Sequence, residues 1–111
     1  MEAKDIIQQT KQQDIHSWTE NADGTEVPCF IPVYITFKEG DRYYKYSIHR
    51  SSRHGISHMI LCDRYWSMQD MYDFSPIGQR ASLYESEAKF EEAIKRVVAR
   101  ANKGIPVEEL D

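Results

Sequence analysis

The stretch that decides the fold is 42-RYYKYSIHRSSRHGISHMILCDRYW-66. Two sets of side chains alternate in its first half, and its second half contains a short apolar run. In the first half, two sets of side chains fall on opposite sides of an extended chain: Tyr44, Tyr46 and Ile48 against Tyr43, Lys45, Ser47 and His49. A period of two predicts a strand. After a turn over Ser51 to Gly55, the run Met59 to Cys62 is apolar on both faces, which is typical of a strand in the middle of a sheet. We therefore predict an antiparallel hairpin here.

The residues before this hairpin predict one more strand. From Cys29 to Phe37 every odd position is apolar, as in a strand with one face in the core. Pro32 lacks an amide proton, so this strand should lie at an edge or contain a bulge. A turn over Lys38 to Asp41 should join it to the hairpin, and the polar segment Thr19 to Val27 is expected to be a loop.

Helical spacing appears at both ends of the chain. A short amphipathic helix is predicted within residues 1–14 from its apolar positions Ala3, Ile6, Ile7 and Thr10. A longer helix is predicted over 86–103 from a continuous stripe of Phe90, Ala93, Ile94, Val97, Val98 and Ala101. Ser86 is its expected N-cap, and Gly104 with Pro106 should end it. We also expect a short strand over Arg80 to Tyr84 and a frayed tail over 106–111.

These elements predict an α+β fold with two layers: an antiparallel sheet of three to four strands, a long C-terminal helix packed on one face and a short N-terminal helix. A chain of 111 residues suits a single domain, with the hairpins in 28–66 and an irregular aromatic segment in 67–79. Its 41 % hydrophobic and 29 % charged residues are typical of folded chains. Because no apolar run reaches signal-peptide or membrane-spanning length, we expect a cytoplasmic protein without membrane contact.

The charge of the chain is unevenly distributed. Its net charge is −4, yet residues 42–66 hold five basic residues against Asp63 alone, a local net charge of +4. The candidate contacts for phosphate or for an acidic partner are Arg42, Lys45, Arg50, Arg53, His49 and His54. Tyrosines between these cations would offer stacking surfaces, which suggests nucleic-acid binding by a basic, tyrosine-rich hairpin. The pI of about 5.5 argues against that interpretation, because dedicated nucleic-acid binders are usually basic.

A second candidate surface is the aromatic segment after the hairpin. Its large apolar residues are Trp66, Met68, Met71, Tyr72 and Phe74. Aromatic residues and methionine with little net charge are enriched in the centres of protein interfaces, so we predict that they bind a protein partner or a second copy of the chain. A lid over the core would have the same composition, and the sequence leaves these two alternatives open.

The residues that could support chemistry do not form a recognisable site. His54, His58 and Cys62 recur every four residues, which on a helix would place them on one face. On a strand four residues span about 13 Å, too far for one metal ion to gather their side chains. We therefore expect no metal or cofactor, and we expect Cys29 and Cys62 to be buried, reduced thiols.

A small hydrolase or nuclease is the weakest of the three functional hypotheses. Ser51 and Ser52 lie between His49 and His54, and flanking arginines could hold a phosphodiester. The spacing places no general base or carboxylate pair beside them. The leading hypothesis is a small interaction or regulatory protein without enzymatic activity, such as an inhibitor or accessory factor that docks on a protein partner. A nucleic-acid-binding domain is the first alternative.

Overall fold

A computed structural model describes the backbone of residues 1–11, 15–20, 23–24, 26–30, 32–53, 56–70 and 73–106. Side chains are described for 1–11, 23–24, 32–50, 59–70 and 73–105. The helices are α1 (Ala3–Thr10) and α2 (Glu87–Lys103), with a 3-10 turn at Met68–Asp70. The strands are β1 (Ile15–Glu20), β2 (Glu26–Phe30), β3 (Val33–Glu39), β4 (Arg42–Arg53), β5 (Ile56–Ser67), β6 (Gly78–Tyr84) and β7 (Ile105–Pro106).

Four antiparallel strands, β3 to β6, form the main sheet, and consecutive strands lie side by side. The two-residue strand β7 pairs with the outer edge of β3. At its far end β4 extends beyond β3 and pairs with β2, which pairs in turn with β1. With α1 and α2 added, this is the predicted α+β fold, and the predicted place of β5 inside the sheet is confirmed.

Two glycines suit the local geometry of the sheet. Gly40 begins the two-residue connection between Glu39 and Arg42 with a φ of 63°, a conformation that favours glycine in tight hairpins. Gly78 lies directly opposite Tyr65, and a Cβ atom at Gly78 would overlap the Tyr65 ring. The absence of a side chain at Gly78 therefore lets the tyrosine ring lie flat over β6.

The core lies between the two helices and one face of the sheet. The apolar stripe of α2 is buried as predicted, and the side chains of Phe90 and Ile94 are fully inaccessible to solvent. They pack with Ile35, Phe37 and Ile48 of the sheet and with Ile6 and Ile7 of α1. Ser86 is the N-cap of α2, as predicted, because its hydroxyl accepts a hydrogen bond of 3.4 Å from the Lys89 amide.

Three predictions about strand limits need correction. The expected loop Thr19 to Val27 is too long, since β1 and β2 run into this segment and pair with each other, although a turn is present at Asp23 and Gly24. The turn over Ser51 to Gly55 is too long, because β4 continues to Arg53 in register with Ile56. The expected frayed tail over 106–111 is wrong at Pro106, which belongs to β7 and pairs with β3, and residues 107–111 lie outside the described residues. In each case the pairing with a neighbouring strand stabilises the extended residues, and short-range patterns do not reveal such pairing.

The expected strand Cys29 to Phe37 is interrupted where Pro32 lies. The described strands end at Phe30 and resume at Val33, and the pairing with β4 shifts by one residue, from Val33 opposite Ile48 to Cys29 opposite Ser51. A one-residue shift between two strands is the signature of a bulge. The predicted irregularity at the proline is therefore confirmed.

Candidate functional site

The pleat of the sheet separates the residues that the sequence groups into one basic hairpin. Arg42 and Arg50 point to the same face as Tyr44 and Ile48, which the helices cover, while Lys45 and His49 point to the other face. The side chain of Arg53 and the whole of His54 lie outside the described residues. The six predicted contacts therefore do not form one continuous patch among the described side chains.

Arg50 has an internal role. Its guanidinium forms two hydrogen bonds to Glu87, of 2.8 and 2.7 Å, and its Nε donates to Thr10 at 3.2 Å. The guanidinium also lies 5.1 Å from the centroid of the Phe90 ring. These contacts lower the pKa of Glu87 below its ordinary value, mainly through the hydrogen bonds from Arg50. Arg50 thus ties β4 to α1 and to the first turn of α2, so its donors face the protein and not a ligand.

Two further cations on the helix-covered side, Arg42 and Arg100, have similar contacts within the protein. Arg42 lies 4.8 Å from the centroid of the Tyr65 ring. Arg100 of α2 donates two hydrogen bonds of 3.0 Å to Glu39 and one of 2.9 Å to the Tyr46 hydroxyl. The hydrogen bonds from Arg100 lower the pKa of Glu39 and raise that of Arg100 itself. Arg42, Arg50 and Arg100 therefore have their partners inside the molecule.

The opposite face of β3 to β6, which neither helix covers, is here called the open face. Its described residues are Tyr34, Thr36, Lys38, Tyr43, Lys45, Ser47, His49, Ile60, Cys62, Arg64, Trp66, Gln79, Ala81 and Leu83. None of these side chains is a carboxylate, whereas three are lysine or arginine. Two large apolar side chains are prominently exposed, Tyr34 at 54 % and Leu83 at 57 %. This face thus combines accessible apolar surface with positive charge.

The cations of the open face contact neutral groups. The Lys45 ammonium lies 4.7 Å from the centroid of the Tyr34 ring. Arg64 donates a hydrogen bond of 3.4 Å from Nε to the side-chain oxygen of Gln79. At the centre of the face, Ser47 and Cys62 are opposite each other in register and buried, which leaves the larger residues around them more prominent. The charges of Lys45 and Arg64 are therefore not neutralised by these contacts.

The aromatic segment divides into a buried part and an exposed part. Trp66 is only 7 % exposed, its indole N–H donates to the Asp73 carbonyl at 3.1 Å, and its ring lies 5.4 Å from that of Tyr43. Phe74, the next residue after Asp73, is fully exposed. Met68 is half-buried, while Met71 and Tyr72 lie outside the described residues. Trp66 is buried on the face away from the core, so it does not form a lid over the core, whereas Phe74 fits a surface contact at the end of the open face.

Two residues of the hypothetical metal site, His58 and Cys62, belong to the strand β5. Cys62 belongs to β5 and is a buried free thiol, as predicted. His54 and the side chains of His58 and Cys29 lie outside the described residues. Within the described part of the chain, no group of three metal-ligating side chains comes together.

A cavity on the helix-covered face was missed by the sequence reasoning. It has a volume of about 300 Å³ and lies between α2 and the strands β4 to β6. Its charged lining residues are Asp63, Arg80, Arg96 and Arg100. Arg80 and Arg96 are 16 positions apart in the chain, on a strand and a helix, so no local motif joins them. Register could have provided a signal, since Arg80 lies directly opposite Asp63 once β5 and β6 pair.

Comparisons with models of protein families, with curated proteins and with solved structures found no match to this chain. In the part that the structure describes, neither helix has the length and apolar character needed to cross a bilayer.

Proposed function

We propose that the protein is a non-enzymatic interaction protein, such as an inhibitor or accessory factor, that docks its open face on an acidic surface of a protein partner. The observation that carries this proposal is the composition of the open face. Exposed Tyr34 lies next to Lys45, and exposed Leu83 of β6 lies opposite Ile60. The same face carries Lys38 and Arg64, and its described side chains include no carboxylate. The molecule as a whole has a net charge of −4, so the excess of positive charge is a local property of the open face.

Each component of the face has a physical role in association. Exposed aromatic and aliphatic side chains lose contact with water on docking, and burial of apolar area drives association. Unneutralised cations speed the encounter with an acidic partner and disfavour basic ones. Phe74, fully exposed at the end of the face, is suited to enter a pocket of the partner.

The charge of the open face also favours a different protein over a second copy of this chain. In a symmetric dimer the same patch meets itself, so Lys38, Lys45 and Arg64 would approach their own counterparts. Like charges brought together in an interface weaken association. An acidic partner converts the same three charges into favourable contacts.

Nucleic acid fits the open face less well. Base stacking needs accessible ring faces. The Tyr34 ring is close to the Lys45 ammonium, and the half-buried Tyr43 ring packs against Trp66. Of the arginines expected to bind phosphate, Arg42 and Arg50 lie on the other face, where tyrosine and glutamate side chains contact them. Nucleic-acid binding is therefore the competing outcome that the experiment must distinguish from binding of a protein partner.

The test uses matched charge-reversal variants of the immobilised protein. Lys45→Glu with Arg64→Glu changes the open face, and Lys89→Glu with Lys95→Glu makes the same change of charge on exposed positions of α2. The wild type and the α2 variant should capture the same acidic protein from the source lysate, and the open-face variant should lose it. The isolated partner should bind Phe74→Ala more weakly by about 2 kcal/mol or more in calorimetry, the size of an interface hot spot.

Two results would contradict the proposal. The first is capture that is equal for the open-face and α2 variants, because charge on the open face would then have no role. The second is binding of a labelled single-stranded oligonucleotide at low salt that requires Tyr34 and Lys45, which would replace the protein partner by nucleic acid. Denaturation curves of both variants must match that of the wild type, so that loss of capture reports binding and not unfolding.

A further inference from the structure

The cavity between α2 and β4 to β6 holds more positive charge than its own residues neutralise. Its polar lining consists of Tyr46, Asp63, Arg80, Ser82, Tyr84, Arg96 and Arg100. Arg100 is neutralised by Glu39, outside the cavity. Among the described residues neither Arg80 nor Arg96 forms an ion pair, and both are exposed. Arg80 from the sheet and Arg96 from the helix therefore line one cavity, in which Asp63 is the single carboxylate among the described lining residues.

Asp63 adds an acceptor to the same cavity. It lies in register between Tyr46 on β4 and Arg80 on β6. Its Oδ1 atom is buried, and no group in the described part of the chain donates a hydrogen bond to it. Burial of a carboxylate oxygen without a donor is unfavourable, so a cationic group that reached the Asp63 carboxylate from the cavity would stabilise its charge.

A chain of polar contacts fixes one wall of the cavity. Glu39 holds Arg100, which donates a hydrogen bond of 2.9 Å to the Tyr46 hydroxyl. Burial raises the pKa of Tyr46, and the negative charge of Asp63 and a side-chain hydrogen bond to that carboxylate raise the pKa further, so the hydroxyl keeps its proton. The neutral phenol leaves the charge of Asp63 for a ligand or for Arg80.

We propose that this cavity binds a small molecule that carries a phosphate or carboxylate group together with an amino group a few bonds away. The acid group lies between Arg80 and Arg96, since guanidinium groups bind oxyanions through paired hydrogen bonds. The amino group pairs with the carboxylate of Asp63, a residue that lines the same cavity. A volume of about 300 Å³ is at the lower end of ligand-binding cavities, which favours a compact ligand.

The competing arrangement is internal. Arg80 and Asp63 are direct cross-strand neighbours, and side chains at such positions are near enough to pair. Closure of Arg80 on Asp63 would neutralise both groups and leave Arg96 as an ordinary surface cation. The experiment must distinguish this closure from ligand binding.

The test is a titration of the isotope-labelled protein, followed by its amide chemical shifts, with four compounds at constant ionic strength. O-Phosphoethanolamine and β-alanine carry both an acid and an amino group, whereas ethyl phosphate and propionate carry the acid alone. We expect saturable shifts on 61–63, 80–84 and 93–100 with at least one of the first pair. Its matched compound without the amino group should bind about tenfold more weakly, the typical effect of one charge-assisted hydrogen bond. Comparison of the two pairs identifies whether the acid is phosphate or carboxylate.

Variants assign the binding to the named residues. Arg80→Gln and Arg96→Gln should each weaken binding about tenfold, for the same reason. Asp63→Asn should remove the advantage of the amino compound while the acid-only compound binds as before. Lys95→Gln, an equal loss of charge on the exposed side of α2, should change nothing. The proposal is overturned if no compound shifts these amides, if the arginine variants behave like Lys95→Gln, or if Arg80→Gln and Asp63→Asn instead show coupled effects on stability without binding.

Discussion

The two faces of the sheet are built from the same strands and carry similar numbers of cations, yet the cations have different kinds of partner on the two faces. On the helix-covered face, Arg50 pairs with Glu87 and Arg100 pairs with Glu39. On the open face, Lys45 and Arg64 contact a tyrosine ring and an amide. The helices account for this difference, because the arginine or the glutamate of each pair belongs to α2.

The comparison shows why a count of basic residues along the chain is a poor guide to a binding surface. A cation that lies next to a packed helix forms contacts within the protein, and its charge is then less available to a ligand. A cation on an uncovered face keeps its charge available to a partner. The cavity is the exception on the covered face, since Arg80 and Arg96 lie where α2 no longer packs closely on β6.

The largest expected effect is loss of core packing on the covered face. Phe90→Ala should lower the free energy of unfolding by about 3 to 5 kcal/mol, because the ring is completely buried and its removal leaves a cavity. Urea denaturation measures this loss. Since that loss approaches the whole stability of a small domain, Phe90→Leu serves as a milder variant. A loss below about 1 kcal/mol for Phe90→Ala would show that the covered face is not the main core.

The next effect separates the two parts of the aromatic segment. Trp66→Ala should lower the free energy of unfolding by about 3 kcal/mol, because the indole is buried and its N–H is bonded to Asp73. Phe74→Ala should change it by less than about 0.5 kcal/mol, since the ring is fully exposed. Thermal and urea denaturation of both variants test this division. Equal losses would place both residues in the core and remove Phe74 from the proposed interface.

A third pair of variants compares one cation from each face. Arg100→Gln should cost about 2 kcal/mol, because it removes hydrogen bonds to Glu39 and Tyr46 and the contacts with the Phe37 and Tyr44 rings. Lys45→Gln should cost about 0.5 kcal/mol or less, since it loses a solvated contact with one ring. Denaturation curves measure both values. Similar losses of unfolding free energy for the two variants would contradict the distinction between cations that are paired within the protein and cations that are available to a partner.

The smallest effect is the pH dependence of the contact between Arg50 and Glu87. Because the pKa of Glu87 is lowered in the folded state, its stabilisation is complete above the ordinary value of 4.5 and is lost as the pH falls through the lowered pKa. The wild type should therefore exceed Glu87→Gln in stability by about 1 kcal/mol at neutral pH, as for a partly exposed bidentate pair. Below pH 4.5 the difference should shrink towards zero. A difference that persists in acid would indicate a packing effect.

Much of the fold could be predicted because the informative patterns are local. The stripe of Phe90, Ile94 and Val97 predicted α2, and Ser86 and Gly104 predicted its limits within one residue. The hairpin followed from alternation over Arg42 to Arg50. The strands β1 and β2 were missed since their polar residues carry no clear period and depend on pairing with other strands.

The candidate sites could be predicted only in part. Lys45 was identified and does lie on the uncovered face, but Lys38 and Arg64 were not assigned to a site, because they join it only when β3 and β5 align beside β4. Arg42 and Arg50 were assigned to the same patch although alternation places them on the other face. Phe74 was grouped with Trp66 by composition, which does not distinguish a covered ring from an exposed one.

Periodicity in the chain was enough to determine which residues form helices and strands and which side of each element is apolar, since these depend on neighbours a few positions away. Only the tertiary structure decided which charges are neutralised. Arg50 and Glu87 lie 37 positions apart and Arg100 and Glu39 lie 61 apart. Contacts over such separations depend on how the helices lie across the sheet, and the free energy of a charge depends on the groups that packing brings within a few ångströms of it.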